Sequence, residues 1–210
     1  GDLHYFLGIE VKQLPNGIFL NQSSYAGKIL EKSGMIDCYS AQTPMEARLH
    51  LSKSSTCKPV DPTMYRSIIG SLRYLTHTRP DITYAVGIVS RYMEKPAADH
   101  LAAVKHILRY IKGTLNLGCF YGREEGMTMQ LCGYSDSDHG GDVDDRKSTS
   151  GVLFYLNSSP VSWTSQKQKV VALSSCEEEY MAAATAACQG IWLSRHYGKL
   201  AGSDPMTVKL

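Results

Sequence analysis

The sequence predicts an α/β fold, α+β overall, in two parts: a helical region, then a mixed sheet carrying one long helix. Three observations predict it. Residues 64–112 carry helix-period apolar patterns punctuated by Pro80 and Pro96, whereas residues from about 118 to 174 read as short strands separated by turn residues. An alanine-rich stretch from 177 to about 197 then reads as one helix, with a strand beginning at 206–210. Strands, one long helix and a further strand make a layered α/β arrangement.

Composition bounds the rest. In 210 residues, hydrophobic side chains make up 43% and charged ones 20%, enough apolar material for a core in one large or two small domains. The formal net charge is +2, so bulk charge favours no class of partner. No run approaches the ~18 apolar residues a membrane helix needs. Gly1-Asp2-Leu3-His4 has neither the basic nor the apolar region of a signal peptide, so a cytoplasmic location is expected, with no membrane partner. The first residue is not Met, and the chain is expected to be a piece of something longer. The cysteines (Cys38, Cys57, Cys119, Cys132, Cys176 and Cys188) form no C-x-x-C pair. They are expected to be reduced and mostly buried as small hydrophobes.

In chain order, residues 3–12 read as a strand and 18–22 as its hairpin partner across Pro15-Asn16-Gly17. A short helix over 24–35 follows, with Ser23 or Ser24 to cap it and Gly34 to end it. Residues 40–63 read as a loop. Helices are expected over 64–78 and 81–95, separated by Pro80 and closed by Pro96. In the helix over 97–112, Leu101, Val104, Leu108 and Ile111 share one face, Lys105, Arg109 and Lys112 share another, and Gly113 stops it. The next expected units are a hairpin turning at Glu124-Glu125-Gly126, a second turning at Ser158-Ser159, and a strand over 169–174. Ser175-Cys176-Glu177-Glu178 fits a capping box, with the Ser175 hydroxyl on the Glu178 amide, and Gly198 or Gly202 ends the long helix.

Three groups of residues could carry chemistry. Asp136, Asp138, Asp142, Asp144 and Asp145 are hard oxygen donors suited to Mg²⁺ or Ca²⁺. An EF-hand is excluded, because counting from Asp136 puts Gly140 at the fifth position and Lys147 at the twelfth. A solvated acidic turn fits these residues as readily. Glu177, Glu178 and Glu179 open a helix, where the backbone dipole favours negative charge; Glu179 could instead turn toward the sheet. The stripe of Lys105, Arg109 and Lys112 could follow a phosphate backbone or be a solvated helix face. No nucleophile elbow, P-loop or dinucleotide fingerprint is present, and the histidines lack metal-ligand spacing.

In ordered blocks over essentially the whole chain, the sequence resembles copia-type retrotransposon polymerases. LHYFLGIEV (3–11) is similar to the segment after the reverse transcriptase palm, and YRSIIGSLRYLTHTRPDITYAV (65–86) is the most diagnostic block. HLAAVKHILRYIKGTLNLG (100–118) resembles the thumb or connection region, and residues 133–183 resemble the first half of the family's RNase H domain. The resemblance implies a reverse transcriptase region over 1–117 and an RNase H-like domain over 118–210. It implies Mg²⁺ as cofactor, with Asp136 and Glu179 as its catalytic ligands. The implied partners are an RNA–DNA hybrid and the rest of the polyprotein. Two departures are local: His139 stands where the family usually has Trp, and Cys176 and Glu178 replace the usual Thr and Ala around Glu179. The polymerase Tyr-x-Asp-Asp turn would lie before Gly1 and the third RNase H carboxylate just past Leu210. The expected product is therefore an inactive fragment with half a metal site. A non-catalytic nucleic-acid-binding module and a protein recruited to a host-interaction role are the alternatives.

Overall fold

A computed structural model of the chain describes residues 3–123, 126 and 128–210, and the chain divides into two compact units, Gly1–Cys119 and Phe120–Leu210. The architecture is α+β.

The first unit opens with an antiparallel meander, β1 (Tyr5–Phe6), β2 (Ile9–Leu14) and β3 (Gly17–Asn21). The single strand expected over 3–12 is broken at Leu7 and Gly8, both at positive φ (47° and 81°), and the chain turns back on itself there. Pro15 and Asn16 form the second turn, as the sequence indicated, and bring Val11 opposite Leu20. β4 (Gly118–Gly122) lies beside β3 as the fourth strand. This overturns the expected hairpin of 118–126 with the strand after it, whose turn at Glu124-Glu125 falls outside the described residues. Gly118 makes the approach possible: a Cβ there would stand 2.2 Å from the Leu20 carbonyl oxygen.

Four helices follow: α1 (Ser23–Lys32), α2 (Pro62–Leu75), α3 (Thr83–Val89) and α4 (Ala98–Gly113). Neither serine caps α1. Ser23 Oγ donates to the Leu115 carbonyl, and the Ser24 amide is met instead by the Glu10 carboxylate at 2.7 Å. Asp61 caps α2, accepting from the Thr63 and Met64 amides, with Pro62 in the first turn. Pro80 starts a 3₁₀ turn rather than a long helix, and α3 gives way to another 3₁₀ turn at Ser90–Tyr92. The helices enclose one core that includes Leu30, Tyr65, Ile69, Leu72, Ile82, Val89, Val104, Ile107 and Ile111. Within it His100 is fully buried and stacked on Tyr92 at 4.0 Å. Its Nδ1 accepts from the Ala97 amide and its Nε2 bonds the Ser52 carbonyl, which fixes the proton on Nε2.

The second unit is built from β5 (Leu131–Ser137), β6 (Thr149–Leu156), β7 (Ser159–Lys167), α5 (Ser175–Ala201) and β8 (Val208–Lys209). The sheet order is β7-β6-β5-β8, with β8 parallel to β5 and α5 forming the crossover. The β6–β7 turn falls at Asn157-Ser158, one residue earlier than expected, with Asn157 in the left-handed region at φ 52°. No strand forms over 169–174. That segment has no partner at the sheet edge and leaves Leu173 92% exposed. Ala182, Ala186, Gly190 and Ser194 step along one face of α5 at intervals of four, and Gly202 closes the helix at φ 64°. These small side chains bring α5 close to the sheet; a Cβ at Gly190 would stand 2.9 Å from Val208 and 3.2 Å from the Phe154 ring. Leu131, Val152, Phe154 and Ala186 form this unit's core.

All six cysteines are free, but only Cys119 is buried, which corrects the expectation that most would be. Among the described residues no helix is long and apolar enough to cross a membrane.

Candidate functional site

The acidic segment leaves β5 at Ser137 and returns to β6 at Thr149, and most of its carboxylates are used to build the loop itself. Asp138 Oδ1 accepts the Thr149 amide at 2.5 Å. Asp142 is 5% exposed and accepts from the Asp144 and Asp145 amides, while Lys167 Nζ reaches it at 2.5 Å. Burial pushes the Asp142 carboxyl up, but the Lys167 bond and the two amides outweigh it and hold the pKa down at about 2. Lys167 also pairs with Asp145 at 2.7 Å.

The start of α5 differs from its expected form by one residue. Ser174, not Ser175, is the N-cap, and its hydroxyl accepts from the Glu177 amide. Glu177 in turn accepts from the Leu173 amide at 2.6 Å. Glu178 therefore falls on the inward row, four residues before Ala182, and is 2% exposed. Its carboxylate accepts from Ser148 Oγ at 2.7 Å and His139 Nδ1 at 3.0 Å. Burial pushes this carboxyl up, but the Ser148 and His139 bonds pull it below its ordinary value. Gln168 Nε2 donates to the Glu178 carbonyl and to Ser150 Oγ, tying the segment after β7 to the same place. Sequence reasoning missed this cluster. Of the residues noted as local departures, His139 and Glu178 prove to be in contact, while Cys176 stays exposed. The signal was present: Glu178 heads the same four-residue row as Ala182, Ala186 and Gly190.

The predicted ligands behave differently from their neighbours. Asp136 is exposed on β5, opposite Gly151 of β6. Glu179 is exposed in the second turn of α5 and lines an open depression of about 390 Å³ with Ser135 and Tyr180; Asp136, the next residue along β5, does not line it, because successive strand side chains point to opposite faces. Neither carboxylate has a hydrogen-bond or ion-pair partner among the described residues, whereas Asp138, Asp142, Asp145, Glu177 and Glu178 are all engaged. As a donor set, two free carboxylates suit one Mg²⁺ ion that keeps most of its waters. They do not suffice for a two-ion centre, and among the described residues no three His, Cys, Asp or Glu side chains gather to hold a metal.

The predicted basic stripe lies on α4 in the first unit. Lys105 and Arg109 are exposed and Lys112 is half-buried at the helix end. Arg109 is partly committed, since its Nε donates to the Tyr39 carbonyl at 3.0 Å; His106 bonds the Thr43 carbonyl nearby. Together they fasten the loop after α1 onto α4.

Comparison with known proteins identifies the class. The family model for reverse transcriptase (RNA-dependent DNA polymerase) matches residues 1–47. The chain is 47% identical over 192 residues to the retrovirus-related Pol polyprotein from transposon RE1 of Arabidopsis thaliana, covering 91% of this chain and 13% of that protein. It is 42% identical to the uncharacterized mitochondrial protein AtMg00810 of the same plant, covering 92% of this chain and 80% of that one. It is also 47% identical over 131 residues to the secreted RxLR effector protein 161 of Plasmopara viticola, covering 62% of this chain and 91% of that protein. No solved structure matches. The chain belongs to the copia-type retrotransposon Pol polyprotein family and spans 13% of the length of the RE1 polyprotein.

Proposed function

We propose that this chain is the stretch of the polyprotein in which reverse transcriptase passes into a ribonuclease H-like unit, and that the second unit contributes to a Mg²⁺ site acting on RNA in an RNA–DNA hybrid. The observation that carries this reading is the division among the acids: Asp136 and Glu179 are exposed and, among the described residues, without protein partners, while the acids around them are spent on the fold. The parallel β5–β8 pair with α5 as crossover supports it. Bound Mg²⁺ would activate water and stabilise the leaving oxygen. Asp136 and Glu179 would hold it through hard oxygen donors. Lys105, Arg109 and Lys112 on α4 would contact phosphates. With two donors the chain by itself hydrolyses little or no hybrid. The test is Mg²⁺-dependent cleavage of a labelled RNA–DNA hybrid by the purified chain, with Asp136→Asn alongside. No cleavage by either, with Mg²⁺ binding lost in the variant, is the expected result. Cleavage that survives Asp136→Asn overturns the assignment.

A second reading, a transposon-derived protein recruited to a host-directed role, is favoured by the likeness to the RxLR effector. It predicts expression as a separate protein without flanking polymerase segments, which mass spectrometry of the producing cells would detect.

A further inference from the structure

We propose that the groove between α1, α2 and α4 binds an anionic amphiphile, an aliphatic chain ending in one carboxylate. The groove encloses about 440 Å³, within the range of small-molecule sites. Ile68 of α2 and Leu101 and Leu108 of α4 give it apolar walls, and Lys32 of α1 and Lys105 of α4 are exposed along its edge. No acidic residue lines it, and among the described residues neither lysine makes an ion pair. The hydroxyls of Ser33 and Ser71, which also line it, donate to the Ile29 and Ser67 carbonyls of their own helices. The two ammonium groups are therefore its charged donors.

This pattern selects the ligand. A lysine stem lies along apolar surface while its ammonium stays in water at the mouth, so two such residues can share one carboxylate without being buried themselves. The walls match an aliphatic body. A nucleic-acid base would call for an aromatic platform, and none of the lining side chains is aromatic. Lys32, in the last turn of α1, also complements that helix's dipole; Lys105, in the middle of α4, has no such role.

The test is calorimetric titration of the full chain with dodecanoate below its micelle concentration, with dodecanol and acetate as comparison probes. Saturable binding of dodecanoate is expected, with acetate silent and dodecanol weaker. Lys105→Glu, at an exposed position, should weaken dodecanoate binding by about tenfold or more, since it replaces an attractive charge with a repulsive one. Ile68→Trp should abolish it by filling the groove, with circular dichroism confirming the fold. Arg109→Ala and Lys112→Ala, whose side chains do not line the groove, should leave dodecanoate binding unchanged, which distinguishes the groove from the rest of the basic stripe, with which it shares Lys105. Absence of saturable binding, equal affinity for dodecanol, or indifference to Lys105→Glu overturns the proposal.

Discussion

Arg79 and Asp81, separated only by Pro80, close a two-pronged ion pair at the corner between α2 and α3: Nε donates to Oδ1 at 2.9 Å and Nη2 to Oδ2 at 2.7 Å. Arg79 is 2% exposed, so its remaining donors also need partners, and it finds them in the Thr114 carbonyl and hydroxyl beyond the end of α4. The Tyr110 hydroxyl donates to the same Asp81 oxygen, and the guanidinium lies 5.7 Å from the Tyr110 ring. A buried guanidinium is tolerable when each of its nitrogens finds a partner, and here four of the five N–H groups are engaged.

Removing the fork should therefore be costly. Arg79→Ala should destabilise the first unit by roughly 3 kcal/mol, the lower end for a broken buried pair because Asp81 keeps some water. Arg79→Lys should restore only part of this, since one ammonium cannot serve Asp81 and Thr114 together. Urea unfolding followed by circular dichroism would measure both, and a full rescue by Lys would contradict the geometry.

Acid should loosen the second unit. The Asp142 carboxyl sits at about 2 when folded, below its ordinary 3.8, so its contribution is complete above pH 4 and is lost as pH falls toward 2. The difference corresponds to roughly 2 kcal/mol. Glu178 is shifted in the same direction and adds to the trend. Trp163 and Trp192, the two tryptophans, both lie in the second unit, so fluorescence reports it selectively. Asp142→Asn should flatten the pH dependence; an unchanged profile would remove Lys167 and Asp142 as its source.

Around Glu178 the partners should not be equal. Ser148 is buried and His139 exposed, so Ser148→Ala should destabilise more than His139→Ala. A double-mutant cycle pairing each with Glu178→Gln should give the larger coupling for Ser148. Equal couplings for the two partners would contradict this ranking by burial.

Close packing around the Phe154 ring predicts another asymmetry. A Cβ at Gly133 would stand 2.4 Å from the Phe154 ring, whereas one at Gly70 on α2 would meet nothing within 4 Å. Gly133→Ala should cost about 1–3 kcal/mol by overpacking. Gly70→Ala should be neutral or stabilise by up to about 1 kcal/mol through helix propensity. Thermal melts of the two variants would decide it.

Much of this was legible in the chain because it depends on local spacing. The apolar row of α4, the Pro80 break, the turn at Pro15-Asn16 and the closure of α5 at Gly202, one of the two glycines expected to end it, follow from periodicity and from residues with restricted or permissive backbones. Asp136 and Glu179 were singled out by resemblance, and the structure adds that among the described residues neither has a protein partner, whereas Asp138, Asp142, Asp145, Glu177 and Glu178 do. Which strand joins which sheet was not local: β4 pairs with β3, almost a hundred residues earlier, because Gly118 lets the backbones meet, and a strand's own sequence carries no record of its partner. Leu7 and Gly8 broke an apparently continuous strand for the same reason, since only the sheet shows where the chain must reverse. A one-residue shift of the α5 cap turned Glu178 from a presumed helix-end charge into the buried partner of Ser148 and His139. The sequence by itself determined most of the helices and strands, the family and the candidate carboxylates. Only the tertiary structure decided which acids are spent on the fold and which remain free, because that depends on donors brought together from distant parts of the chain.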